Sequence, residues 1–123
     1  MYNRAIRGAI TVDNNSENLI ISTTKQLLEE MIEQNNIITQ DIISIIFTAT
    51  EDLDKAYPAV AARQIGIVNA GLLCMQEMKV DGSLKMCIRI LLNVNTSKDQ
   101  NVIKHVYLKG ATKLRPDLIN SSL

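Results

Sequence analysis

The stretch "KMCIRILLNV", residues 85–94, constrains the fold more than any other. In an extended chain successive side chains point to opposite faces, so Met86, Ile88, Ile90, Leu92 and Val94 share one apolar face while Cys87, Arg89 and Leu91 share the other. The first face demands a core. The second is too apolar to be left in water yet carries a guanidinium, so it needs a cover that tolerates charge. The same division recurs in "AIRGAITV", where Ile6, Ile10 and Val12 oppose Arg7, Ala9 and Thr11, and in "HVYL", where Tyr107 opposes Val106 and Leu108. Three strands thus aim a donor away from the core, and the inference is that another subunit covers their second faces.

The remaining chain alternates helix and strand signals. Asn14 and Asn15 suit a helix N-cap, and "SENLIISTTKQLLEEMIEQNN" then places Ile20, Thr24, Leu27, Leu28 and Met31 at three- and four-residue spacing before an Asn pair ends it. This predicts a long amphipathic helix. "DIISIIFTAT" is rich in β-branched residues and reads as a central strand buried on both faces. "YPAVAARQIG" has Pro58 at a first-turn position, small helix formers behind it and a Gly66 stop, which predicts a short helix. Strands are expected from Leu72 to Met78 and from Leu84 to Asn95, joined as a hairpin by a turn at Asp81 and Gly82. "HVYLKGATKL" supplies a last strand, and "RPDLINSSL" loses periodicity and should fray. The expected fold class is α/β or α+β, a mixed β-sheet with its long helix packed on one face, with residues 1–115 as a single domain and 116–123 as a frayed tail.

Composition narrows the functions open to such a domain. The chain has 123 residues, 46% of them hydrophobic, enough for one packed core and too few for two ordinary domains. Thirteen basic and thirteen acidic residues cancel, so no global charge draws it to nucleic acid or an anionic membrane. With three Tyr, one Phe and no Trp there is little material for a base-stacking surface. Apolar runs such as "IISIIF" are far too short to span a bilayer, and "MYNRAIRGAI" has no signal-peptide apolar region, so no membrane association and a cytoplasmic location are expected. Cys74, Cys87 and the single His105 have neither disulfide-framework nor metal-ligand spacing, so reduced thiols and no structural metal are expected.

Each polar residue in this text also has a plain structural reading. An Arg on a non-core strand face is ordinarily solvated or part of an interface ion pair, and a lone Glu77 is ordinarily a surface acid. Cys74 and Cys87 serve as small apolar fillers, and His105 as a structural residue at a strand start. Arg63 could simply close the second helix against its terminal carbonyls, and Arg115 could be an ordinary residue before a proline. From residue types and periodicity the reading stops at an oligomeric α/β domain.

The order of the motifs carries it further. "IRGAITV" near the start, "CMQEM" and "KMCIRILLNV" in the middle, and "HVYL" and "LRPDL" near the end resemble the small trimeric, barrel-like chorismate mutases, with matching spacings from Arg7 to Leu118. The resemblance implies a homotrimer whose sheets form a pseudo-α/β barrel with helices outside and active sites between adjacent subunits. It implies conversion of chorismate to prephenate in aromatic amino-acid biosynthesis, an intramolecular rearrangement needing no cofactor, metal or nucleophile. A flexible dianion has to be held compactly while charge separates, which fixed cations achieve.

Carried over by position, the resemblance implies that Arg89 donates to the ether oxygen, that Arg7 and Tyr107 orient the enolpyruvyl carboxylate, and that Glu77 accepts from the ring hydroxyl. Arg63 and Arg115 would approach the ring carboxylate near the pocket mouth, and Tyr57, Ala59, Leu73, Cys74 and Leu114 would form walls. Four of the five arginines would thus meet in one site, a local positive focus concealed by the zero net charge. Tyr57, Arg63 and Cys74 would come from one subunit and Arg7, Glu77, Arg89 and Tyr107 from its neighbour. Parity agrees, because Cys74 and Glu77 are an odd number of residues apart and face opposite ways in an unbulged strand. Three positions depart from the family pattern: Tyr57 where Phe is common, Val60 where Lys is frequent and Leu73 where Thr is usual. These bear on pocket polarity and affinity more than on reaction type. Two other readings fit parts of the pattern, a trimeric imine or enamine deaminase of similar barrel fold and a non-catalytic trimer that binds diacids. The first would release a ketoacid from an enamine; the second would bind without turnover.

Overall fold

The computed structural model describes residues 1–117. A five-stranded mixed sheet is built from β1 (Tyr2–Thr11), β2 (Ile42–Ala49), β3 (Gly71–Gln76), β4 (Cys87–Thr96) and β5 (Val106–Leu108), in the order β3-β2-β4-β1-β5. Strand β4 runs antiparallel to both β1 and β2, whereas β3 is parallel to β2 and β5 parallel to β1. The long helix α1 (Glu17–Gln34) and the short helix α2 (Ala59–Gln64) complete the α+β fold.

The period-two text of the strands puts its larger apolar set on the helix side. Ile6, Ile10, Ile45, Phe47, Ile88, Ile90, Leu92 and Val94 join Ile20, Leu27, Leu28 and Met31 of α1 in one core cluster. Each such side chain contributes about 2 kcal/mol of hydrophobic stabilisation. Where α1 crosses β1 the approach is so close that a Cβ on Gly8 would lie 2.5 Å from Met31 Sδ, so glycine is what lets the layers meet. The Ser16 hydroxyl caps α1 by accepting from the Leu19 N–H at 3.2 Å. The cap expected at Asn14 or Asn15 therefore falls one residue later. The chain turns away at Asn35 and at Asn36, whose φ is 50°.

Three further expectations are corrected. Strands β3 and β4 do not form a hairpin: β2 lies between them, using both its hydrogen-bonding edges, and residues 77–86 cross from one side of it to the other. The turn signal itself is real, with Ser83 N–H donating to Val80 O and Gly82 at φ 77°, but it shapes the crossing loop. The central strand is β4, and β2 is second from the edge. Its Ile45 and Phe47 are buried, but on its other face Ile46 and Thr48 are only partly covered by the described residues, and Ile43, at the bulge, is exposed. The last strand is short, because Lys109 at φ 53° turns the chain into a 3-10 segment, Lys109–Leu114, packed by Gly110 against Thr11. Of the expected tail, Asp117 is held by Arg115, and residues 118–123 lie outside the described residues.

Candidate active site

On the sheet face away from α1, cross-strand pairing sets Tyr107, Ala9, Arg89, Thr48 and Met75 side by side in one row across five strands. Parity put Arg89 and Tyr107 on this face; register makes them near neighbours. Beneath them a small second cluster of Ala9, Cys87, Tyr107 and Ala111, flanked by Leu84 and Leu114, forms an apolar floor. Leu114 thus reaches the site region as a support of that floor. Burial pushes the Cys87 thiol up, more than the neighbouring Arg89 cation pulls it down, so it stays a neutral filler.

At the centre is a half-buried ion pair. Arg89 Nε lies 3.0 Å from Glu77 Oε1, with the two side chains 27% and 23% exposed. Glu77 follows β3 directly and continues its ladder, its N–H donating to Ala49 O at 3.0 Å. The Thr48 hydroxyl donates to the same Oε1 at 2.7 Å. Although close, the Arg89 Nε–H is not aligned on the carboxylate, and this buried donor has no hydrogen-bond partner among the described residues. Neither does the buried Tyr107 hydroxyl. Buried donors ordinarily meet an acceptor, so two of them on one face point to this part of the sheet as the candidate site.

More positive charge surrounds the Tyr107 end. His105 accepts the Arg7 backbone N–H on Nδ1 at 2.9 Å, tying the entry to β5 against β1. Burial first, then the cations of Arg115 and Arg7, press the His105 pKa below its ordinary value. Both guanidiniums therefore lie near this histidine. Arg115 makes a two-pronged contact with Asp117 at 3.1 and 3.0 Å, and its pKa is raised chiefly by those hydrogen bonds, with Tyr107 adding a little. On or beside this face the chain thus carries the cations Arg7, Arg89 and Arg115, the Tyr107 hydroxyl and one carboxylate, Glu77.

The other residues singled out from the sequence lie elsewhere. Cys74 pairs with Phe47, points to the helix side and packs against the main core, opposite to Glu77 as parity requires. With Tyr57, Val60 and Lys55 it lines a cavity of about 910 Å³, while Glu77 lines a different one of about 420 Å³. Tyr57 is 74% exposed, Arg63 is exposed at the end of α2, and Leu73 stands exposed on β3. Ala59 is buried in the core cluster, where it backs the wall instead of lining it. Thr48 was missed by sequence reading. Its one signal was position: in "IISIIFTAT" it alternates with Phe47, on the face that parity assigns to the cations.

Residues 3–118 match the family model for chorismate mutase type I. The chain is 45% identical to chorismate mutase AroH of Bacillus subtilis over 119 residues, 96% of this chain and 94% of that protein. It is 47% identical to chorismate mutase AroH of Thermus thermophilus over 116 residues, 94% and 95% of the two lengths. A solved chorismate mutase from Clostridium thermocellum superposes with a TM-score of 0.87 at 54% identity, covering 89% of this chain and 97% of that one.

Proposed function

The chain belongs to the chorismate mutase type I family, and from that premise we propose that it rearranges chorismate to prephenate, as a single domain over residues 1–115 within a cytoplasmic homotrimer. In this isomerisation the ether C–O bond of the enolpyruvyl group breaks while a C–C bond forms to the ring, and no proton or electron leaves the molecule. The catalyst supplies shape and charge. Arg89 donates to the ether oxygen as negative charge develops there, Arg7 and Tyr107 hold the enolpyruvyl carboxylate, and Glu77 accepts from the ring hydroxyl near the fragment that turns electron-poor.

The observation that carries this reading is the unpartnered pair of buried donors, Arg89 Nε and Tyr107 Oη, beside a carboxylate already held by Thr48. Simple carboxylate binding does not need Glu77 among the cations. An ether oxygen next to a ring hydroxyl does. Arg63, Tyr57 and Cys74 then complete the pocket from a neighbouring subunit, which accounts for the opposite facing of Cys74 and Glu77 on one strand. Mixing purified protein with chorismate and following loss of its diene absorbance tests the proposal. Prephenate should accumulate at a rate proportional to enzyme; a rate equal to the uncatalysed one refutes the reading.

A further inference from the structure

Glu77 and Arg89 are close enough to neutralise one another. A carboxylate and a guanidinium left to themselves adopt the two-pronged fork in which both oxygens and two N–H groups are consumed. That fork would remove the donor the ether oxygen needs and the acceptor the ring hydroxyl needs. The pair in this structure is held short of it. Oε1 makes the 3.0 Å contact, the Arg89 Nε–H is not aligned on it, and the same Oε1 takes the Thr48 hydroxyl at 2.7 Å.

The backbone explains why Thr48 can do this. Thr48 is the cross-strand neighbour of Arg89 on one side and of Met75 on the other, so its side chain rises between β4 and β3. Glu77 enters two residues beyond Met75, anchored by its N–H on Ala49 O. The hydroxyl and the guanidinium thus lie level on adjacent strands, the carboxylate reaches them from just beyond the end of β3, and among the described residues the Thr48 hydroxyl is the hydrogen-bond donor to the Glu77 carboxylate.

We infer that Thr48 is a positioning residue, which turns the Glu77 carboxylate so that Oε2 stays free for substrate and Arg89 keeps an uncommitted donor. The role rests on the chorismate mutase reading of this site. Thr48→Val keeps the shape and β-branching while deleting the hydroxyl, and it releases Glu77 to fork onto Arg89. Kinetics with chorismate for wild type, Thr48→Val, Thr48→Ser, Glu77→Ala and the Thr48→Val/Glu77→Ala double variant give the test, with thermal melts to compare folding.

Thr48→Val should lower kcat by roughly tenfold with KM changing by less than about threefold, because the lost orientation matters most as charge develops. Thr48→Ser, which restores the hydroxyl, should recover kcat to within about twofold. In the Glu77→Ala background Thr48→Val should have no further effect, since there is no carboxylate left to orient. Wild-type kcat in Thr48→Val, failure of serine to rescue, or an equal tenfold loss in the Glu77→Ala background overturns the positioning role while leaving the activity standing. Absence of turnover in the wild type overturns the activity and the positioning role with it.

Discussion

On the proposed reading, Arg89 is where transition-state and ground-state interactions part company. Negative charge on the ether oxygen appears only as the bond breaks, so a half-buried guanidinium aimed there would act on kcat. Arg89→Gln, of similar length but neutral, should lower kcat by at least about 100-fold, by analogy with loss of one oxyanion donor. Arg63 is exposed on α2 and better screened, so Arg63→Ala should act mainly through KM. Both parameters measured for both variants decide it; a wild-type kcat in Arg89→Gln makes that residue a carboxylate clamp only. His105 gives a second prediction at this scale. Its folded pKa is lowered, so the unfolded chain binds the extra proton first, and the stability it contributes is present above the unfolded value of about 6.5 and lost as pH falls from there. A protonated Nδ1 also cannot accept the Arg7 N–H. Denaturant midpoints between pH 7.5 and 5 should therefore fall more steeply for wild type than for His105→Asn, whose amide oxygen can take the same N–H without titrating; parallel curves would exclude the histidine as the cause.

At the scale of elements, the end of α1 determines where β5 begins. Asn35 is 1% exposed, and its side-chain amide donates to Met31 O and Lys104 O at 2.9 Å while its oxygen accepts the Lys104 N–H at 2.8 Å. The Lys98 ammonium adds a bond to the Asn35 carbonyl. One side chain thus ties the helix C-terminus to the segment that leads through His105 to Tyr107. Asn35→Ala strands several of these groups and should cost about 2–3 kcal/mol of unfolding free energy, read by denaturant titration. Asn35→Asp should lose at least as much, because a buried carboxylate oxygen would face the two carbonyls to which the amide donates; a smaller loss would mean that accepting the Lys104 N–H dominates. The opposite end of the sheet is tied in the same manner: the Asp52 carboxylate accepts the Met86 N–H, and the Thr50 hydroxyl accepts the Cys87 N–H, so the crossing loop delivers β4 in register for Arg89.

Among the described residues, one face of the sheet is left open. Beside the row that bears Arg89, the outer side of the sheet presents the half-covered Ile46 and Leu91 and the exposed Leu73 and Met75, at 55% and 52%. Such a patch on a strand face calls for a partner. The proposed trimer covers it and joins the two halves of the pocket, so sedimentation in dilute solution should give three chains per particle. Ile46→Asp, a charge in the middle of that face, should yield folded monomers that do not convert chorismate. A monodisperse monomer with full activity would refute the shared site.

By itself the sequence determined the two faces of β1, β4 and β5 and the stripe of α1, because strand and helix periods dictate which side chains share a surface. Ile6, Ile10, Ile88 and Ile90 went to the core and Arg7, Arg89 and Tyr107 away from it on parity alone. Motif order and spacing supplied the family resemblance. What parity cannot contain is strand order, since the same turn residues, Asp81 and Gly82, serve a hairpin or a crossing loop equally well. Only packing, which placed β2 between β3 and β4, decided that. Register, likewise a product of three strands docking, set Thr48 between Arg89 and Glu77 and gave that ion pair its geometry. A hydrogen bond between residues 29 positions apart belongs to the tertiary structure, because no local rule acts over such a separation.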